Sequence, residues 1–579
     1  MKGTPSLYFN RFLYFLTFLT FTILVIEYGF SLDSLTLQVF HYLQLSFALI
    51  FLLEFLFLWI REGLNLKTLR NNLAETALLI LLVIMFLLYS WLINSGKIIG
   101  FLERTHHFTP QTGYLIPIQI YLSFNILLKL IGIHKSLIYL RLKPSQLVII
   151  TYLAIIIVGT LLLSLPRATV KEGVSFINRL FTATSATCVT GLTVVDISKV
   201  FSTFGQCIIL LLIQIGGLGL MTFVSFFALI LGKGMGMRER AVLKDVLDYE
   251  MMGRLGRLIM TMLLTTFFLE AVGAGILTLF FHHYLANPLK SFYYGIFHAV
   301  SAFCNAGFSL FTNSFQDFQD KLGFNLTITT LIILGGLGFL VIQDFMRFLY
   351  RKIKGEFVRL SLHSRLVLLT TLSLLVVGTF LFLLLEKRNI LPHQPGKALL
   401  ASYFQSVTAR TAGFSTVDIS LLREPTYLLL IFLMFIGASP GSTGGGIKTS
   451  TFAVLLFTII SYLQGKEKVE ISRRTLSSFL VHKVLAIVSF SLSVVFLSTF
   501  LLLITEKLAF TQILFEVISA FGTVGLSTGI TPSLSPAGKL IILATMLVGR
   551  IGPLTLALAL GPRTKKVKYT YPEEKVIVG

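Results

Sequence analysis

Charged residues are scarce in this sequence. Asp, Glu, Lys and Arg make up 13% of the 579 residues, whereas 55% are hydrophobic, and the mean hydropathy is +0.85. A water-soluble domain carries about a quarter charged residues, so the chain lacks the polar surface that a soluble enzyme, a secreted protein or a disordered protein needs. Apolar stretches of spanning length recur from end to end. The composition therefore predicts an all-α integral membrane protein that crosses the bilayer many times.

Cysteine and acidic residues are also few. The three cysteines, Cys188, Cys207 and Cys304, form no CxxC pair, so neither a disulfide framework nor a zinc site is predicted. The 26 acidic residues are outnumbered by 48 basic ones, which gives a net charge of +22. In a soluble chain this excess would suggest nucleic acid, but the hydropathy excludes that partner and leaves the lipid membrane.

The chain divides near residue 144, where a basic and polar patch ends at Pro144. No small-residue cleavage site follows the first apolar run, so that run is predicted to be a retained span and not a signal peptide. We predict an N-terminal membrane domain of about four helices over residues 1–144, followed by a second domain over 145–579. The four apolar runs of the first domain lie near 12–25, 37–60, 76–95 and 114–133.

After residue 144 one unit is repeated four times, which is the first feature to seek in a sequence. Each unit has a long apolar span, a half-length apolar segment that ends in a glycine-containing loop, and a second long span. The units cover about 145–255, 256–362, 363–478 and 479–579. Their second spans are predicted over 204–231, 325–349, 426–462 and 538–560.

A basic cluster follows the second span of every unit; Arg238, Arg351, Arg474 and Lys566 are examples. The four clusters therefore share one face, which the positive-inside rule makes cytoplasmic, and both termini are predicted there. A secondary carrier with broken helices is the alternative within transport. The shared orientation of the four units argues against it, because carriers usually contain inverted repeats.

Each half-length segment ends in a related string with one glycine: TCVTGL, CNAGF, TARTAGF and GTVGL. The glycines, Gly191, Gly307, Gly413 and Gly525, are spaced by 116, 106 and 112 residues. Irregular backbone at membrane depth survives only when it is buried in protein or lines a cavity. Glycine permits a positive φ and leaves carbonyl oxygens uncovered. A single string of this kind usually contains a glycine at a helix-packing contact. Four strings at the same place in four repeats instead predict rings of carbonyl oxygens that replace the water around a cation.

These strings resemble the KtrB/TrkH superfamily of K+ transporters, and KtrB more closely, over about residues 145–579. The resemblance implies an all-α membrane protein with four M1–pore helix–M2 repeats around a pseudo-fourfold pore, in which the loop glycines line a K+ selectivity filter. The implied filter residues, which would hold K+, are Val189, Thr190, Gly191, Asn305, Ala306, Gly307, Thr411, Ala412, Gly413, Thr523, Val524 and Gly525. None of the loops has the TVGYG of tetrameric K+ channels, so a Na+ channel or a non-selective monovalent cation channel stays an alternative.

The second span of the third unit is interrupted at 437–449 by GASPGSTGGGIKT. Glycines and a proline cannot continue a helix, yet apolar residues flank the string, so we predict an irregular loop at mid-membrane that gates the pore. The resemblance implies the same loop beneath the filter; a plain connection between two half-spans is the alternative. The predicted gate residues are Gly437, Ser439, Pro440, Gly441, Ser442, Thr443, Gly444, Gly445, Gly446, Lys448 and Arg550.

Arg550 lies inside the last apolar span, where a charge is costly and usually faces a cavity or a partner. The resemblance implies that it acts with the loop as a barrier to ions, and a structural ion pair is the alternative. Asp196 and Asp418 each lie five residues after the glycine of their loop. Their carboxylates either concentrate cations at the external mouth of the pore or are simply solvated. Glu270 and Glu516 are predicted to be structural hydrogen-bonding residues.

The resemblance further implies a homodimer in the bacterial inner membrane, with a cytoplasmic ring of nucleotide-binding regulatory subunits like KtrA or TrkA. K+ is the expected substrate, Na+ is a candidate activator, and no covalent cofactor is expected. A membrane enzyme is not predicted, because His282, His283 and His298 lack paired carboxylates or HExxH spacing. The N-terminal domain resembles part of a voltage sensor at Glu54, Arg61, Lys67, Arg70, Asn72 and Glu75, but its fourth span lacks regularly spaced arginines, so an accessory or regulatory role is predicted.

Overall fold

The structure, a computed structural model, describes residues 7–30, 32–62, 144–170, 173–219, 255–285 and 287–560, together with 83, 118–119 and 121–123. The described part is all-α, apart from a hairpin of two-residue strands, β1 (Glu470–Ile471) and β2 (Arg474–Thr475). Several helices are long and apolar enough to cross a bilayer. The predicted fold class, an all-α membrane protein, is therefore confirmed.

The helices follow the predicted order of long, short and second helix in each repeat. Within the described residues, two long helices precede the repeats: α1 (Leu7–Gly29) and α2 (Ser34–Glu62). The first repeat contains α3 (Pro144–Leu163), α4 (Phe176–Cys188), α5 (Ile197–Val200) and α6 (Thr203–Leu218). The second contains α7 (Leu255–His282), α8 (Pro288–Phe303), α9 (Leu322–Leu337) and α10 (Phe339–Ile353). The third contains α11 (Leu362–Glu386), α12 (Pro395–Thr408), α13 (Glu424–Phe435) and α14 (Thr449–Leu463); the fourth contains α15 (Ser478–Thr505), α16 (Phe510–Gly522), α17 (Pro536–Ile551) and α18 (Pro553–Leu560).

The short helices α4, α8, α12 and α16 have 13 to 16 residues. At 1.5 Å per residue they are about 20–24 Å long, less than the ~30 Å hydrocarbon core. Their starts are fixed locally: Ser175 accepts a hydrogen bond from the Asn178 amide, and Pro288 and Pro395 occupy the first turn of α8 and α12. Each short helix is therefore too short to cross the hydrocarbon core by itself.

The four repeats close into a ring. The second helix of each repeat packs on the short helix of the next: α6 on α8, α9 on α12, α13 on α16, and α17 back on α4. Three buried apolar clusters lie along these joins, one between the first and second repeats, one between the second and third, and one that links the third, fourth and first. Because packing runs around a closed circle, the ends of the short helices are brought to one central axis.

The second spans predicted over 325–349 and 538–560 are each interrupted in the structure, whereas the sequence analysis noted an interruption in the third repeat; of the span predicted over 204–231, residues 220–231 lie outside the described residues. α6, α9 and α17 end at Leu218, Leu337 and Ile551, each followed by a glycine with a φ of 76° to 91°. The axis of α10 is turned by 102° from that of α9, so 325–349 is not one straight span. A side chain on Gly338 would collide with the carbonyl of Pro440, so only glycine fits this break.

The described part of the N-terminal domain is α1, α2 and a few helical residues near position 120. Ile118, Tyr121 and Leu122 pack with residues of α1 and α2. The predicted spans 76–95 and 114–133 lie almost wholly outside the described residues. α1 contacts the first repeat, because Arg167 donates to the carbonyl of Glu27 at 3.3 Å and Tyr28 stacks on Phe204. The domain boundary at 144 and the regulatory role stay predictions.

We expect Gly335→Ala to destabilise the protein by about 2 kcal/mol, in the range of overpacked cores. A Cβ atom at this position would overlap the carbonyl of Phe303, where α9 crosses the end of α8. Gly323→Ala is the matched control, since it lies in the same helix with no atom within 4 Å of the added carbon. Thermal unfolding of the purified variants in detergent micelles measures both changes. Equal melting temperatures for the two variants would contradict this close helix crossing.

Candidate ion pathway

Within three residues of its end, every short helix is followed by a non-glycine residue with a positive φ, and the glycine of the sequence motif follows two positions later. The left-handed residues are Val189, Asn305, Thr411 and Thr523, with φ of 57°, 58°, 75° and 49°. Gly191, Gly307, Gly413 and Gly525 also have positive φ, between 69° and 96°. A non-glycine residue in this region is uncommon and marks a backbone held by its surroundings. The chain is thus turned away from the helix axis at the same place in all four repeats.

The four glycines lie side by side. A Cβ atom on Gly191 would lie 2.5 Å from the carbonyl oxygen of Ala306, and one on Gly307 would lie 2.7 Å from that of Ala412. Gly413 faces the carbonyl of Val524 in the same way, and Gly525 faces that of Thr190, which closes the circle. The structure therefore brings the twelve predicted filter residues together around one axis, with a main-chain carbonyl of each repeat against the glycine of its neighbour.

A belt of hydroxyl groups holds these loops, and the sequence analysis missed it. Gly191 N donates to Ser185 Oγ, and Gly525 N donates to Ser519 Oγ, both at 3.1 Å. In the other two repeats the hydroxyl is the donor: Ser301 Oγ donates to Phe308 O at 2.8 Å, and Thr408 Oγ1 donates to Phe414 O at 2.7 Å. The signal was available, because a Ser or Thr precedes every glycine by five or six residues.

Side chains below the glycines link the second and third repeats. With the Asn305 amide oriented to satisfy its neighbours, its oxygen accepts from Thr411 Oγ1 at 3.1 Å and its nitrogen donates to Ala302 O at 3.0 Å. All four left-handed residues are fully buried. Their positions are therefore fixed by the protein and not by solvent.

Outside the ring lies a cavity of about 390 Å³, lined by all four glycines and by polar residues of the following segments. Asp196 and Asp418 both line it, and both cap short helical turns by accepting from the amides of Ser198 and Ser420 at 2.9 Å. Burial raises the pKa of the Asp196 carboxyl, but hydrogen bonds from Ser198 and Thr312 and the charge of Lys199 outweigh it, so the pKa lies below its ordinary value. Asp196 thus keeps a negative charge at the mouth at neutral pH.

On the opposite side of the ring from this cavity, residues 436–448 form an irregular loop between α13 and α14 that contains all ten predicted gate residues before Arg550. The loop closes on itself: Gly437 N donates to Ile447 O at 2.8 Å, and Lys448 Nζ donates to Gly444 O at 2.7 Å. Ser439 and Thr443 are fully buried. The loop is therefore compact. An interrupted span needs such internal hydrogen bonds, because its backbone groups cannot be satisfied by lipid.

This loop contacts the ring and the second repeat. Gly445 N donates to Thr523 Oγ1 at 3.0 Å, and a side chain on Gly444 would collide with the hydroxyl of Thr411. Ser439 N and Thr443 N donate to Gly336 O and Gly335 O at 3.0 and 3.2 Å. The loop therefore lies directly against two of the four left-handed residues and against the break in α9.

Arg550 connects the loop to the first repeat. Its guanidinium donates to the carbonyls of Thr443 and Gly216, and its Nε lies 3.4 Å from the Tyr152 hydroxyl. These partners are neutral, so the alternative of a structural ion pair finds no carboxylate among its hydrogen-bond partners in the described part of the chain. Arg550 occupies the second position of GRIG, where the first and second repeats have the glycines of GGLG.

Two other predicted polar residues have structural partners. Gln214 Nε2 donates to both oxygens of the Glu270 carboxyl at 3.1 Å, beside Cys304. The imidazole of His298 is bonded to Tyr294 O and Leu310 N, at 2.7 and 3.2 Å. No cluster of three or more His, Cys, Asp or Glu side chains that could hold a metal occurs within the described ranges.

Comparisons with known proteins agree with this architecture. The family model for TrkH, described as a cation transport protein, matches residues 134–569. The chain is 42% identical over 450 residues to the Ktr system potassium uptake protein B of Bacillus subtilis, covering 77% of this chain and 99% of the relative. It is 40% identical over 439 residues to the protein of the same name from Vibrio alginolyticus, with coverages of 75% and 94%.

A third relative, the potassium/sodium uptake protein NtpJ of Enterococcus hirae, is 37% identical over 457 residues, covering 77% of this chain and all of the relative. Among solved structures, the crystal structure of the potassium transporter TrkH from Vibrio parahaemolyticus superposes with a TM-score of 0.59. It has 18% sequence identity and covers 85% of this chain and 98% of that one, so this likeness concerns the fold alone.

Proposed function

Because the chain belongs to the TrkH family of cation transport proteins, whose members here include Ktr potassium uptake subunits, we propose that it is a channel-like K+ uptake subunit. The observation that most strongly supports this proposal is the closed circle of four glycines, each of which lies against a main-chain carbonyl of the next repeat. K+ would lose its water in the outer cavity, where Asp196 attracts cations, and carbonyl oxygens would replace the hydration shell. The ion would then move inward down its electrochemical gradient.

The gate of this pathway would be the loop at 436–448 together with Arg550. The loop contacts Thr411 and Thr523 beneath the ring, and Arg550 ties Thr443 to Gly216 on the far side of the axis. A positive charge held there opposes the passage of cations by Coulomb repulsion, which is strong where water is excluded. Conduction would require these contacts to break, so that the loop and the guanidinium leave the axis.

A Na+ or non-selective cation pathway is the second candidate. Two observations favour it: none of the four loops contains TVGYG, and one relative is named a potassium/sodium uptake protein. The same ring can serve either ion, because selectivity depends on the number and flexibility of the carbonyls as well as on their presence. Ion-competition uptake separates the two candidates, and Na+ as an activator is tested by adding it to K+ uptake assays.

The assembly is also a proposal. Relatives named as parts of a Ktr system support a partner, and we propose a homodimer in the bacterial inner membrane with a KtrA/TrkA-like cytoplasmic ring. Both termini would be cytoplasmic, on the face that carries the basic clusters. Light scattering of the purified chain tests the dimer; a monomer would refute it. Uptake unaffected by nucleotide with the soluble partner present would refute the regulatory ring.

Gly413→Ser should lower K+ affinity or K+ over Na+ selectivity by about tenfold, equivalent to about 1.4 kcal/mol. The new side chain would crowd the carbonyl of Val524. Complementation of a K+-uptake-deficient bacterium, then ion-competition uptake in proteoliposomes, measures the change. Gly465→Ser is the control, because Gly465 also has positive φ but has no atom within 4 Å of an added carbon. Wild-type kinetics and selectivity in the Gly413 variant would count against the filter.

Arg550→Ala should raise K+ flux severalfold, because it removes both the charge and the link between Thr443 and Gly216. Flux through proteoliposomes at equal protein content is the measurement. Arg550→Lys retains the charge and should stay near wild type, whereas Tyr152→Phe removes only the side contact and serves as the matched control. Deletion of residues 439–445 should also raise flux. Lower flux in the Arg550 alanine variant, with normal expression, would exclude the gate role.

A further inference from the structure

Each short helix carries a buried polar side chain three residues before its belt hydroxyl. The four side chains are chemically different: a hydroxyl, an imidazole, an amide and a carboxyl. None is more than 1% exposed, and they are Thr182, His298, Gln405 and Glu516. Polar groups in such positions need hydrogen-bond partners, since an unpaired one costs free energy.

In three repeats this side chain bonds to the segment that follows the glycine. His298 Nε2 accepts from Leu310 N at 3.2 Å, and Gln405 Nε2 donates to Thr416 Oγ1 at 3.4 Å. The Thr531 hydroxyl donates to the Glu516 carboxyl. Thr182 differs, because its hydroxyl donates to Asn178 O of its own helix at 2.9 Å. The first repeat therefore provides a natural comparison, a polar residue at the same place without this bond.

The bond from Thr531 continues to the outer cavity. Thr531 Oγ1 lies 3.0 Å from Ser527 Oγ, and Gly529 N donates to Ser527 Oγ at 2.9 Å. Ser527 and Gly529 line the cavity outside the ring. Residues 525–531 are thus anchored to α16 at both ends. At one end Gly525 N donates to Ser519 Oγ, and at the other end the Thr531 hydroxyl donates to the Glu516 carboxyl.

A carboxyl group is a costly choice for this anchor. Its second oxygen, Oε2, is buried and lacks a well-formed hydrogen bond to any described residue, although the Ser527 hydroxyl lies near the carboxyl. Desolvating a carboxyl with incomplete hydrogen bonding opposes folding, so an apolar residue of similar size would pack here at less cost. Stability alone does not account for a hydrogen-bond acceptor at this position in place of an apolar residue.

We propose that Glu516 is a positioning residue for ion selection. Through Thr531 it fixes the outer segment of the fourth loop, and so it fixes the distance between the Val524 carbonyl and Gly413 in the ring. The ring then keeps the size that suits the larger ion, because the loop cannot contract around a smaller one. This inference rests on the proposed filter function.

The test compares K+ and Na+ uptake in proteoliposomes of full-length variants. Glu516→Ala and Thr531→Val should each lower the K+ over Na+ ratio by about tenfold, the value of one hydrogen bond to an ionisable group. Glu516→Gln keeps an acceptor for the Thr531 hydroxyl and should retain the wild-type ratio. The double variant with both changes should equal either single variant, since both remove the same bond. A folding defect would reduce uptake of both ions equally and leave the ratio unchanged.

Thr182→Val is the matched control, which removes a buried hydroxyl at the same place in the first repeat and should leave the ratio at the wild-type value. A wild-type ratio in both Glu516→Ala and Thr531→Val would overturn the proposal if Gly413→Ser alters selectivity. If Gly413→Ser is also silent, the filter itself is refuted. An equal loss in the Thr182 variant would show that general packing of the short helices, and not the carboxyl bond, sets selectivity.

Discussion

Four stretches of backbone meet at one axis, so closely that no side chain fits between them. Carbonyl oxygens of one repeat lie where a Cβ atom of the next would be. Several other features accompany this contact: helices too short to cross the membrane, residues of positive φ after their ends, and hydroxyl groups that satisfy the turned backbone. Glycines in the second helices serve the same end, because they let those helices approach the carbonyls at the ends of the short helices.

The ring is close to fourfold, whereas the region beneath it is not. In the first, second and fourth repeats the second helix ends at a single glycine with a positive φ, whereas in the third repeat it is followed by the loop at 436–448. Arg550 stands where two other repeats have glycine, and it spans the axis by bonding to carbonyls of the first and third repeats. The repeats thus share the elements that make the ring and differ in the elements that lie across its exit.

Much of this arrangement could be predicted from the sequence, because glycine and polar strings inside apolar runs have few physical explanations. The four loop glycines, the interrupted third span and Arg550 were recognised in this way. The breaks at Gly338 and Gly552 were missed, since apolar residues continue on both sides of each glycine and hydropathy does not report an interruption of the helix. The repeated GGLG, GGLG and GRIG strings carried that information.

Contacts between residues that are distant in the sequence were harder to predict. Nothing in the local pattern pairs Asn305 with Thr411, because these two residues belong to different repeats and meet only when the ring closes. Within the fourth repeat, nothing in the pattern pairs Thr531 with Glu516, because the bond depends on how the loop returns along α16. Glu516 was predicted to be a structural hydrogen-bonding residue, and its bond to Thr531 agrees with that prediction. The segment that Glu516 holds, residues 525–531, is defined by the way in which α16 and the following residues pack together.

The covalent continuity of the four quarters has an evolutionary consequence. In a channel assembled from identical subunits, every substitution appears four times around the axis, so a barrier on one side cannot arise without three copies of itself. Here a single codon change alters one quarter while the other three keep the ion-facing surface intact. Asymmetric features such as a lone arginine, or a lone carboxyl behind one loop, can therefore be acquired and adjusted one at a time.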